Sequence, residues 1–211
     1  MTLPRLTRPA GAFFLSFAVI ALLMVTHVTD ALDVAILQAV GSWRTPALTS
    51  AMRAAEFVGD GKVEIPLALL VCALLWIRGR SIGAWRYFGV CLSAEALYLL
   101  AKLAFHRQRP TVIPHLGQGG WYSFPSGHAM LAPVIWGLGL VLLAQLVNAR
   151  AARIASWIAA VTICATIAAC RVYLGVHYPS DVLGGICLGM AWVLWWWNAL
   201  HDQGRAAAAT N

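Results

Sequence analysis

Apolar residues in this chain gather into long runs separated by short polar connections, instead of alternating with polar residues at a period of two. Six such runs cover residues 11–28, 62–77, 82–105, 129–147, 154–170 and 182–200. Each approaches the roughly 20 residues that a helix needs to cross the hydrocarbon core of a bilayer. The pattern predicts an all-α, polytopic membrane protein with six transmembrane helices in a bundle. Residues 30–61 are mixed. Leu32, Ile36, Val40 and Trp43 recur there at helical spacing, Arg44-Thr45-Pro46 interrupts them, and a second amphipathic piece covers 48–58. These read as short helices between the first two spans, lying on the membrane surface or capping the bundle. Arg5 and Arg8 ahead of the first run would also suit a signal peptide, but no A-x-A-like site follows, which favours a retained helix. The alanines at 206–209 read as a frayed tail. Without a repeat or a linker, residues 1–211 read as one membrane-embedded domain with its chemistry between 102 and 181.

Composition sharpens this class. Hydrophobic residues make up 61% of the chain and charged ones 11%, with a mean hydropathy of +0.75. Soluble domains carry about 25% charged residues, so the supply here does not build a water-facing surface. The net charge of +7 does not signal nucleic-acid binding, because the basic residues sit in short groups between apolar runs. Five cysteines, Cys72, Cys91, Cys164, Cys170 and Cys187, fall in or beside those runs with no CxxC spacing. They read as small buried side chains, not as a disulfide framework or a zinc site. Basic residues in the connections set the orientation. Arg5, Arg8, Arg78, Arg80, Arg86, Arg150, Arg153 and Arg205 fall on one side, against Arg44, Arg53, Lys62, Lys102, Arg107, Arg109 and Arg171 on the other. Lys102, Arg109 and Arg171 belong to the cluster described next; without them the bias places both termini in the cytoplasm. The connections after spans one, three and five then face the outside, as in a bacterial inner membrane.

Charged residues at the ends of membrane spans are costly and mark function. Three groups of them fall on that outer side. Lys102 and Arg109 lie seven apart, so two helical turns would put both on one face, with Pro110 ending the helix. Pro125-Ser126-Gly127-His128 stands directly before the fourth span, and Arg171 through Asp181 joins the fifth to the sixth. Three fixed cations, Lys102, Arg109 and Arg171, suit the oxygens of one phosphoryl group. Ser126 and Gly127 open a helix whose free N–H groups favour an anion. This set can hold phosphate and stabilise a five-coordinate transition state without a metal or other cofactor. His177, with Asp181 four residues on to fix its tautomer, reads as the nucleophile that forms a phosphohistidine. His128 reads as the acid that protonates the leaving alkoxide and then takes a proton from water. The partners implied are a lipid phosphate and the bilayer.

These residues resemble the three signature motifs of the type 2 phosphatidic acid phosphatase and vanadium haloperoxidase superfamily. Its K-x6-R-P is matched by Lys102, Arg109 and Pro110, and its P-S-G-H by Pro125, Ser126, Gly127 and His128. Its S-R-x5-H-x3-D is matched at Arg171, His177 and Asp181, with Cys170 in place of the leading serine. A thiol donates poorly, so that exchange is expected to weaken one polar contact to phosphate. The resemblance implies a metal-independent phosphatase with a helical core, acting on phosphatidic acid, phosphatidylglycerol phosphate, polyprenyl diphosphates or lipid A-like molecules. A haloperoxidase would use the same cradle for vanadate, but its small soluble substrates need no bilayer. A phosphotransferase would share the phosphohistidine. A transporter would show inverted repeats and broken helices near the midplane, where this chain gathers its charges at span ends.

Other polar residues read as structural. His106 and Arg107 are expected to be solvated loop charges, and Glu95 to pair with Lys102 inside the bundle. His115 reads as a loop residue, and Trp121 and Tyr122 as anchors of that loop at the interface. His27 and His201 cap span ends, and the tryptophan-rich stretch 192–197 reads as an aromatic belt.

Overall fold

The computed structural model describes the backbone of residues 7–147 and 149–209, and side chains of 9–147 and 149–197. Arg5, Arg8, His201 and Arg205 therefore lie outside the described side chains. Among the described residues all regular structure is helical. The helices are α1 (Thr7–Val25), α2 (Asp30–Ser42), α3 (Pro46–Val58), α4 (Gly61–Ile77), α5 (Ser81–Phe105), α6 (Gly127–Ala132), α7 (Leu138–Ala144), α8 (Arg150–Tyr173) and α9 (Pro179–Ala209). A π-turn at Pro133–Gly137 joins α6 to α7. Pro133 cannot donate the backbone bond an α-helix would take from it, so the wider turn falls where the sequence runs straight through. By length and apolar composition, α5, the α6–α7 segment Gly127–Ala144 and α8 can each cross a membrane. The α1–α2 pair, bent by 93°, would count as a fourth crossing if taken as one span. The alanines expected to fray continue α9 through Ala209.

Local chemistry sets several boundaries. The Thr45 side chain accepts the Leu48 N–H at 3.2 Å, with Pro46 in the first turn of α3. Asp60 caps α4 by accepting the Lys62 N–H at 2.9 Å. Contrary to the two-turn reading of Lys102 and Arg109, α5 stops at Phe105, where His106 takes the left-handed conformation (φ 50°). Arg109 therefore sits on a loop.

Packing is inverted relative to a soluble protein. Large apolar side chains such as Leu22, Ile65, Leu92, Leu100, Val161 and Leu183 are exposed. Asp33, Lys102, Arg171, His177, Ser180 and Asp181 are buried instead. On α2 the stripe ends Leu32 and Trp43 face outward, and Asp33 and Leu37 turn inward. The apolar core around Val71, Leu75, Tyr87, Val90 and Val134 joins α4, α5 and the α6–α7 segment. Trp192, Trp196 and Trp197 pack against this core, so only part of the tryptophan run, with Trp195 outermost, faces outward as a belt would. α1 and α6 both pack along α9. A side chain at Gly189 would meet the Met130 carbonyl at 2.2 Å, so glycine permits the α6–α9 crossing that brings the His128 and Asp181 helices together.

Candidate active site

The three motif groups converge at one end of the bundle, and main-chain carbonyls hold two of their cations. Lys102, 2% exposed, donates to the Tyr122 carbonyl and lies 5.2 Å from the centre of the Tyr98 ring. Arg109 donates to the carbonyls of Gly120, of Trp121 at 3.0 Å, of Tyr122 at 3.3 Å and of Val176 at 2.6 Å. Carbonyl dipoles orient a cation without cancelling its charge, so both stay available to an anion. Burial first, and then the neighbouring Arg171 cation, lower the pKa of Arg109, as follows when like charges are gathered. Glu95, the expected partner of Lys102, is exposed on α5, and the lysine finds carbonyl and ring instead.

Arg171 is held differently. Its Nη1 donates to Glu56 on α3 and its Nη2 to the Gln118 carbonyl at 2.8 Å, while Nε is buried with no partner. The Ser126 hydroxyl is likewise buried and unpartnered. The Ser126 N–H donates to the Asp181 carbonyl at 3.0 Å, so it is not among the free donors at the start of α6. A side chain at Gly127 would stand 2.7 Å from the Tyr98 ring, which explains the absence of one there.

His177 lies 2% exposed on the turn between α8 and α9. Its Nδ1 is 3.4 Å from the Asp181 carboxylate, within ion-pair range but off the line of a hydrogen bond. Its Nε2 is 3.2 Å from Nη1 of Arg109, which can only donate. Nε2 is therefore the acceptor, and the proton of a neutral ring belongs on Nδ1, toward Asp181. Burial pushes the pKa of His177 down to about 3; Arg171 and Arg109 act in the same direction, and Asp181 opposes them. Nε2 of His128 lies 3.3 Å from the Glu56 carbonyl, near the end of α3.

Asp181 is fully buried and multiply bonded. It accepts from the Ser123 hydroxyl, the Tyr178 N–H at 2.8 Å and Arg107 at 2.7 Å. Arg107 is thus no solvated loop charge. It also reaches Ser180 and Asp33, at 2.7 and 2.8 Å, and its guanidinium sits 4.1 Å from the centre of the Tyr178 ring. Asp33 in turn accepts the Ser180 N–H at 2.9 Å. Sequence reasoning missed Asp33, Glu56 and the role of Arg107. The available signal was Asp33 standing four residues before Leu37 on one helical face. His115 and exposed Trp121 belong to the loop, as expected, and the Cys170 thiol donates to the Ile167 carbonyl in an apolar cluster with Ala55 and Leu174.

Known proteins share this framework. The PAP2 superfamily model matches residues 83–205. Phosphatidylglycerophosphatase B of Bacillus subtilis is 28% identical over 180 residues, 85% of this chain and 88% of that protein. Decaprenylphosphoryl-5-phosphoribose phosphatase of Mycobacterium tuberculosis is 30% identical over 149 residues, 68% of this chain and 76% of that protein. Among solved structures, a transmembrane PAP2 type phosphatidylglycerolphosphate phosphatase from Bacillus subtilis superposes with a TM-score of 0.83 at 26% identity, covering 94% of this chain and 96% of that one. With a family model over more than half its length, this chain belongs to the PAP2 superfamily and is a phosphatase.

Proposed function

We propose that the protein is an integral membrane lipid phosphatase that works through a phosphohistidine at His177. The observation that carries this reading is the setting of that ring: buried, with Nδ1 3.4 Å from the Asp181 carboxylate and Nε2 3.2 Å from the Arg109 guanidinium, which leaves the Nε2 lone pair to the neutral ring. In the first step Nε2 of His177 attacks phosphorus. The bond to the lipid oxygen breaks, and His128 gives its proton to that oxygen. In the second step His128 takes a proton from water, the hydroxide attacks the phosphohistidine, and phosphate leaves with His177 neutral again. Lys102, Arg109 and Arg171, with the Ser126 hydroxyl and the backbone at Gly127, hold the equatorial oxygens in both steps. Protein cations supply the charge stabilisation, so the mechanism calls for no metal or other cofactor.

A lipid phosphate as substrate is supported by the relatives, whose names give phosphatidylglycerol phosphate, lipid A, undecaprenyl diphosphate and decaprenylphosphoryl-5-phosphoribose as what they act on. The same reading makes α1, α4, α5, α6–α7, α8 and α9 the six crossings of one domain. It lays α2 and α3 along the outer surface, as the 93° bend after α1 allows, and keeps both termini in the cytoplasm. The test is phosphate release from a panel of lipid phosphates by purified protein in detergent with EDTA throughout. Wild type is expected to turn over at least one member and His177→Ala to lose that by at least about a thousandfold. Equal rates in the two proteins, or loss of activity to the chelator, would overturn the mechanism.

A further inference from the structure

Asp181 does not face His177 alone. Its Oδ2 lies 3.4 Å from Nδ1 of the ring and also accepts the Ser123 hydroxyl and the Tyr178 N–H. Its Oδ1 accepts Nη1 of Arg107 at 2.7 Å. A carboxylate paired with a guanidinium of its own presents little net charge to a third group. Arg107 is shared, however. Its Nη2 donates to Asp33 of α2 at 2.8 Å, and Asp33 is 2% exposed. The Ser180 hydroxyl joins the two, accepting from Nη1 of Arg107 at 2.7 Å and donating to Asp33. Asp33 also accepts the Ser180 N–H at 2.9 Å, within the turn that separates His177 from Asp181. Asp30, 3.4 Å from Arg107, is half exposed and bonded to His27, so water screens it. The chain Asp33–Arg107–Asp181 thus holds two negative charges and one positive, and its end with the surplus reaches the His177 ring.

The ring needs that surplus during the reaction. As Nε2 of His177 forms its bond to phosphorus, the bond to the lipid oxygen breaks with its electron pair. That oxygen takes the His128 proton. Nδ1 keeps its own proton, so the phosphorylated ring is an imidazolium with one positive charge. The surplus of the chain offsets this charge where it develops. With Asp33 neutral the chain would sum to zero, and the imidazolium would form without compensation from that side.

We infer that Asp33 is a positioning residue for the nucleophile: it shares Arg107, which leaves Asp181 a net negative charge for His177, and it fixes the intervening turn at Ser180. The inference rests on His177 as the nucleophile, the reading given above. It adds to the site a residue of α2 that lies outside all three motifs.

The experiment measures kcat and KM for phosphate release from phosphatidic acid and phosphatidylglycerol phosphate, in detergent with EDTA. Wild type, His177→Ala, Asp33→Asn and the double variant Asp33→Asn/Arg107→Gln are compared, and Lys102, Arg109 and Arg171 are common to all four. Asparagine keeps an acceptor for the Ser180 N–H, so Asp33→Asn removes the charge and spares that bond. Its kcat is expected to fall about tenfold or more with KM within about threefold, because Asp33 acts on the transition state through Asp181. The double variant removes one charge of each sign and restores the net charge of the chain. Its kcat should return to within about threefold of wild type, whereas a merely structural Asp33 predicts a further loss as more bonds go. An Asp33→Asn kcat within about twofold of wild type, a loss carried by KM alone, or a double variant no faster than the single one would overturn the inference. If one variant does not give folded protein, the other decides by the same criterion against wild type. Failure of both to fold would make Asp33 part of the frame alone and overturn it too. The phosphatase reading stands through all of these outcomes while wild type releases phosphate and His177→Ala does not. Equal rates in those two proteins would overturn both.

Discussion

Arg107, half-buried, and Arg171, buried, stand at the same end of the bundle, yet their surroundings differ in one decisive respect. Both terminal nitrogens of Arg107 are tied to side chains of the protein, Asp33, Asp181 and Ser180, and the Tyr178 ring covers its plane. Arg171 shares one carboxylate and one carbonyl and leaves Nε buried without a partner. An unpaired buried donor is costly, and a bound phosphate oxygen would relieve that cost. An arginine whose terminal nitrogens both meet carboxylates holds the protein's own parts in place, and the proposed phosphate-binding role of Arg171 is what its unpartnered nitrogen supports. The sequence motif contains the second and passes over the first, although Asp181, beside the proposed nucleophile His177, is bonded to Arg107.

Removing each cation tests the contrast. Arg107→Ala leaves Asp33 and Asp181 buried without their counter-ion. Breaking a buried pair from one side costs about 3–5 kcal/mol, so the thermal midpoint in detergent should fall steeply. Arg107→Lys should rescue little, because an ammonium cannot span the Asp33 and Asp181 carboxylates as the planar fork does. A midpoint near wild type in Arg107→Ala would break the distinction. Arg171→Ala should do the reverse. Glu56 keeps the Gln118 N–H at 2.9 Å and some exposure, so the midpoint should change little. The loss of kcat/KM should be on the order of 10²–10³, the scale of removing one donor to a transition-state oxyanion. A large loss of stability with intact turnover of the surviving protein would reassign Arg171 to the frame.

The difference between these residues also explains what could be read before any coordinates. Lys102, Arg109, Ser126, Gly127, His128, Arg171, His177 and Asp181 stand in short local patterns, and the contact of Arg109 with His177 and the bond from the Ser126 N–H to the Asp181 carbonyl bring those patterns together. The long apolar runs gave the positions of α5 and α8 to within a few residues. What escaped was long-range. Arg107 meets Asp33 across 74 residues, Ser180 meets Asp33 across 147, and Arg171 meets Glu56 across 115. No periodicity encodes such pairs, and Arg107 taken alone is an arginine in a polar connection. The early end of α5 was hidden for another reason, since a histidine in the left-handed conformation carries no glycine signal.

His177 lies between the two environments, which gives the comparison a pH signature. Its pKa is lowered to about 3 in the folded protein, against an ordinary value near 6.5. Between those values the unfolded chain binds a proton that the folded chain refuses, so stability must fall as pH drops from about 6.5 toward 3. One such proton contributes a slope of up to about 1.4 kcal/mol per pH unit. Replacing His177 by Gln should remove that slope while the carboxylates, common to both proteins, keep theirs. Identical stability–pH curves for the two proteins would show that the ring titrates normally, and the neutral-nucleophile reading would lose its support.

The smallest effect is expected at Cys170, where the family motif has serine. The motif alone suggested a weakened contact to phosphate. In the structure the thiol is fully buried, donates to the Ile167 carbonyl one turn back at 3.0 Å, and packs with Ala55, Tyr173 and Leu174. A serine hydroxyl would find the same carbonyl acceptor, so it would not be left unpaired. It would exchange a polarisable sulfur for a smaller, more polar atom inside an apolar cluster, at a cost of about 1 kcal/mol or less. Cys170→Ser should therefore change kcat/KM by less than about threefold and lower the thermal midpoint slightly. A gain of tenfold or more would mean that the hydroxyl turns from Ile167 toward the phosphate. The departure from the motif would then be a loss of a ligand, and Arg171 would not be the only member of its helix turn arranged for the substrate.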